Sequence, residues 1–164
     1  MRFLQKLFGK KDYSLQNYEA IELLNVNDEV KKAILLCHGS FTLSLRMMSV
    51  SKLSDRGANE SEALSYFLGA LQGFMNYHQY KLNEEYAKAY CVFLAADTKH
   101  GNVLFSTHNL LMQGALQDED ETIRLLSENI LKANQNGWQE MSEYLNTGIP
   151  PTFPKLRSIF NIGY

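Results

Sequence analysis

Apolar residues recur at three- and four-residue steps along almost the whole chain, and the strongest such run lies between Asn59 and Tyr80. Asn59 can accept from the free N–H groups of a first helical turn, with Glu62 three residues on, so the pattern predicts a helix starting there. Leu64, Phe67, Leu68, Leu71, Met75 and His78 fall on one face. The opposite face holds Tyr66, Gly69, Gly73, Tyr77 and Tyr80, leaving only a narrow polar strip. A helix apolar nearly all round belongs in a core. Its two glycines each cost about 1 kcal/mol against alanine, so they call for a close approach. That approach is either a crossing helix or a ligand in a groove rimmed by Tyr66, Tyr77, His78, Tyr80 and Tyr90.

The remaining elements follow from the same periodicity. Ser14 or Asn17 opens a helix to about Asn25, and Asp28 caps a second whose stripe, Val30, Ile34, Cys37, Phe41, Leu45 and Met48, runs to Met48. Residues 41–47 also alternate as a strand would, but no second alternating run exists to pair with them, so helix is expected. Asn83 caps a fourth helix ending in the apolar AYCVFLAA. A turn, Asp97 to Asn102, leads to a fifth helix from about Asn102 to Gln117. The DEDE run Asp118 to Glu121 opens a sixth, which Asn136 and Gly137 end, and a last short helix carries Trp138, Met141 and Leu145 up to Gly148. All three prolines, Pro150, Pro151 and Pro154, lie in the final segment, which is expected to start extended and to strap back over the bundle or dock on a partner. The fold class expected is all-α: one domain over residues 1–164, a bundle of about six or seven helices with residues 149–164 as a C-terminal strap.

Composition narrows the function classes. At 164 residues and 45% hydrophobic content, the chain can bury a core without metal or disulfide staples. The net charge of -2 is unevenly spread: residues 1–58 carry +3, residues 59–149 carry -7 and residues 150–164 carry +2. An acidic second half speaks against a nucleic-acid face and for a basic protein partner. Residues 1–11 form a short basic amphipathic segment, in which Phe3, Leu4, Leu7 and Phe8 would meet a membrane surface or the protein's own core. No apolar run is long enough for a membrane span and no export signal is visible, so a cytoplasmic protein is expected.

Candidate chemistry is sparse. Cys37 and Cys91 sit singly in apolar runs, as buried thiols do. The string LLCHGS at Leu35 to Ser40 has the apolar-His-Gly form of a hydrolase oxyanion loop, but no Gly-x-Ser-x-Gly elbow accompanies it. His38, His78, His100 and His108 lack the tight spacing of zinc ligands, although His100 and His108 could share a site with Asp97. No metal, cofactor or catalytic residue is assigned. The expectation is a non-enzymatic cytoplasmic protein that binds another protein, most concretely a small bacterial immunity-type, toxin-neutralising partner. Its contact would be Asp118, Glu119, Asp120 and Glu121, with Glu128, steering a cationic surface. The alternatives are a sensor or enzyme using the Tyr66, Gly69, Gly73, Tyr77, His78, Tyr80 and Tyr90 groove, and a peripheral membrane adaptor using residues 1–11.

Overall fold

The computed structural model describes residues 15–16, 18–114, 120–149 and 152–162. Helix accounts for 77% of the described residues and no strand occurs among them, which makes the fold an all-α bundle. A 3₁₀ helix, Tyr18–Leu23, precedes α1 (Asp28–Gly39), α2 (Thr42–Met48), α3 (Glu60–Tyr77), α4 (Glu84–Ala95), α5 (Thr98–Gly114), α6 (Glu121–Thr147) and α7 (Pro154–Ile159). The basic segment 1–11, Ser14, Asn17, Asp118, Glu119, Pro150 and Pro151 lie outside the described residues. None of the described helices is long and apolar enough to cross a membrane.

Caps explain most starts. The Asn59 side chain accepts from Ser61 N and Glu62 N, and that of Asn83 accepts from Tyr86 N. Residues 42–48 are helical rather than extended. Four boundaries differ from the sequence pattern, each for a local reason. Asn27, not Asp28, caps α1 through Val30 N. The 28–48 stripe breaks at Ser40 and Phe41, where the fully buried Phe41 ring turns the chain into α2. Asp97 caps α5 through His100 N at 2.6 Å, so the helix begins at Thr98 and the polar DTKHGN string is mostly helix. The sixth and seventh expected helices are one 27-residue helix, α6, which runs straight through Asn136 and Gly137 and stops at Gly148 with φ 65°.

Gly137 does not end a helix because it is needed at a crossing. A Cβ built on it would stand 2.8 Å from the carbonyl carbon of Tyr66 and closer still to the oxygen, while one on Gly69 would stand 2.7 Å from the carbonyl carbon of Asn134. Each glycine therefore lies over a carbonyl of the facing helix. This is the close approach at which Cα–H···O contacts form. Ser65 Oγ donates to Ile130 O at 2.8 Å and Asn134 Nδ2 donates to Ser65 O at 3.2 Å. One turn on, Gly73 faces Trp138 O and Ser142 Oγ. The contacts advance together along both helices, so α3 and α6 run parallel, forming the most extensive helix pair of the fold. The helices α4 and α5 connect them along the chain.

The C-terminal segment packs on the core: Phe153, Leu156 and Phe160 are fully buried, and the Phe153 ring lies 4.5 Å from that of Phe41. Its extended start is short, since Pro154 takes the first helical position of α7, where a missing N–H costs nothing. Phe153 itself makes no side-chain cap. Glu140 of α6 supplies one instead, its carboxyl group accepting from Lys155 N at 2.9 Å and from Tyr66 Oη at 2.5 Å. One group thus ties α3, α6 and α7 together. Tyr66→Phe is expected to cost about 1–3 kcal/mol in urea denaturation, because it leaves a 9% exposed carboxyl one donor short.

Candidate functional site

The acidic run at the start of α6 divides by role. Asp120 accepts from Thr122 N at 2.8 Å and from Ile123 N at 3.4 Å, so its carboxylate is the N-cap of the helix. Glu121 and Glu128 are exposed. At about 100° per residue they share an outer stripe with Leu125, Lys132 and Gln139, opposite the buried Ser127, Ile130 and Met141. Leu125 is 58% exposed, an apolar side chain left in water between two acids.

The seven residues of the expected ligand groove are not brought together. The backbone of α6 fills the groove over Gly69 and Gly73. Tyr66 and Tyr90 are fully buried, whereas Tyr77 and Tyr80 are about half exposed. The physical reason is that the glycine strip receives a helix, which leaves Tyr66 and Tyr90 in the core and Tyr77 and Tyr80 at the surface.

Tyr90 belongs to an inner polar chain. His38 is fully buried among the rings of Tyr18, Phe41, Phe67, Tyr90 and Phe93. Its Nε2 lies 2.7 Å from Leu15 O, which can only accept, so Nε2 carries the proton. Nδ1 is then the acceptor for Tyr90 Oη at 2.9 Å. Burial holds the His38 imidazole down to about 4, against which the Leu15 carbonyl works. Burial also pushes the Cys37 thiol far up, opposed by a hydrogen bond with Tyr90, and raises Cys91 to about 12. Both thiols are inert at neutral pH. Desolvation likewise holds His108 down to about 4. His100 and His108 do not share a site with Asp97: His100 Nε2 pairs with Glu60 Oε1 at 2.9 Å, and His108 is buried two turns further along α5. Among the described residues no three His, Cys, Asp or Glu side chains converge as metal ligands.

Another feature escaped the sequence pattern. His78 and Tyr80 face the opposite side of α3 from the glycines, and they line a cavity of about 480 Å³ with Asp28, Glu29, Lys32 and Tyr86. Phe74, Leu36 and Ala33 complete it. Tyr80 is placed by the end of α3. Its N–H donates to Met75 O at 2.8 Å, Gln79 N donates to Asn76 O at 3.1 Å, and Gln79 stands at φ 60°. This is a Schellman ending in which glutamine occupies the left-handed position that glycine usually fills. No single periodicity could have joined these residues, since those of α1 lie about forty residues before Phe74 and a turn separates Tyr80 from Tyr86. Comparison of the chain with protein-family models, with curated protein sequences and with solved structures finds no match. Its class is therefore given by its own geometry: an all-α bundle whose candidate sites are surface features, the outer stripe of α6 and the aromatic cavity beside α1.

Proposed function

We propose that this protein acts by binding another protein with a basic contact surface, most concretely as a small toxin-neutralising partner of the bacterial immunity type. The observation that carries the reading is the outer stripe of α6, where the acids Glu121 and Glu128 flank the exposed Leu125. Exposed acids steer a cationic partner during encounter, and an exposed apolar group between them gives the contact an area to bury. The acidic excess of residues 59–149 supports the same direction of attraction. Asp120 holds the end of α6 in shape, so the steering falls to its neighbours. Asp118 and Glu119 are proposed to add to the same field.

The test uses the tagged full chain in its native cell, wild type beside the double variant Glu121→Gln, Glu128→Gln, with the exposed Glu22→Gln as control. Wild type and control are expected to retain a basic protein that the double variant loses by about tenfold or more, a difference of about 1.4 kcal/mol. Equal recovery by all three, or recovery by none, would overturn the proposal.

A further inference from the structure

We infer that the cavity between the start of α1, the end of α3 and the start of α4 is a binding site for an organic cation: a guanidinium or alkylammonium group carried on an apolar stem. Its volume of about 480 Å³ is that of a small-ligand pocket. Its walls combine two features that recognise such a group. The first is aromatic surface from Phe74, His78, Tyr80 and Tyr86, whose π faces attract cations while their area accepts the stem. The second is acid: Asp28 and Glu29 stand at the rim against a single lysine, Lys32. A lysine on a helix face can turn its ammonium into solvent and leave its stem on the wall, so the field inside is set by the carboxylates.

The field registers at Tyr86. Its phenol is raised above the ordinary range, by desolvation first and then by Glu29, Glu85 and Tyr80. Negative charge from α1 and α4 thus reaches the phenol of a residue that lines the cavity. The architecture is held ready before a ligand arrives. Gln79 accepts a left-handed conformation, and the Met75 carbonyl anchors the Tyr80 backbone, which fixes a half-exposed aromatic at the mouth. Leu36, 55% exposed, supplies an apolar lip for the stem. A neutral or anionic ligand would meet the same rings without the attraction.

Two sources carry this chemistry, a free small molecule and an arginine or lysine side chain of a protein. The experiment titrates the full-length, ¹⁵N-labelled protein with n-butylguanidinium, with its neutral isostere n-butylurea and with arginine capped at both ends. Saturable shifts at the amides of residues 28, 29, 78, 80 and 86 are expected with the guanidinium. Binding of the urea is expected to be about tenfold weaker or worse, the loss of a cation–π and carboxylate pairing. Capped arginine binding as well as n-butylguanidinium would identify a protein side chain as the source, and its exclusion would identify a free cation. Glu29→Gln and Tyr80→Ala, both at exposed positions, should each weaken guanidinium binding by about fivefold or more while thermal unfolding stays unchanged. Tyr80→Phe, which keeps the ring, should restore it. Equal binding of the urea and the guanidinium, absence of saturable shifts, or full affinity in both variants would overturn the inference.

Discussion

Gly137→Ala is expected to destabilise the protein by about 3 kcal/mol or more, among the largest effects of any single methyl group added to this chain. The added carbon would meet the backbone of Tyr66 and, at 3.0 Å, Ala70 N, and backbone in a helix cannot rotate aside as a side chain can. Relief requires α3 and α6 to separate, which would loosen the contacts along both helices. Gly69→Ala should behave alike, against Asn134. The two together should cost less than their sum, because the first separation already relieves the second clash. Gly39→Ala is the control: a Cβ there meets nothing within 4 Å, and alanine favours helix, so a gain of up to about 1 kcal/mol is expected. Urea denaturation of the four variants beside the wild type measures all of this. Gly137→Ala with wild-type stability would mean that α6 does not lie in the groove of α3.

Stability should also fall as the solution is acidified from about pH 6.5 to about pH 4, and the buried His38 is one cause. Its folded-state value of about 4 lies below that of a histidine in the unfolded chain, so over this window the unfolded chain binds a proton that the folded chain refuses. Protonation therefore favours unfolding. Stability rises with pH across the window and levels off above it. His108, likewise held down to about 4, adds to the same slope. For fully buried His38 the whole window corresponds to about 3 kcal/mol. Urea midpoints measured between pH 4 and pH 8 give the slope directly. His38→Gln, although less stable at neutral pH, is expected to show a shallower slope, whereas an unchanged slope would place the titrating group elsewhere.

How far the fold could be read from the sequence follows from the range of the interaction involved. Asn59, Asn83 and Gly148 act on backbone within a turn, and all three mark the ends that their residue types predict. The helical reading of residues 41–47 rests on the lack of a partner strand, and residues 42–48 form α2. Gly137 misleads because a missing Cβ serves a helix end and a helix crossing equally well. Only its position opposite Tyr66, 71 residues earlier in the chain, separates the two uses. Asp97 misleads in the opposite sense, since capping residues and turn residues are the same types. The sequence-based site is divided similarly. The sequence pattern puts Asp120 in a steering patch, while its side chain caps α6; it puts Tyr66 and Tyr90 on groove walls, while Tyr66 bonds Glu140 and Tyr90 bonds His38. The cavity beside α1 could not be seen at all, because Glu29, His78 and Tyr86 meet only through the path of α3 and α4.

The outer surface of α6 is proposed to be where this protein meets another. Its most direct test is the affinity for the captured basic partner, titrated over a range of salt concentrations for wild type and for Glu121→Lys, Glu128→Lys. Affinity that falls steadily with salt for wild type, and is weaker by about tenfold or more with a flatter dependence for the variant, is the predicted result. The same affinity and the same salt dependence in both proteins would contradict it.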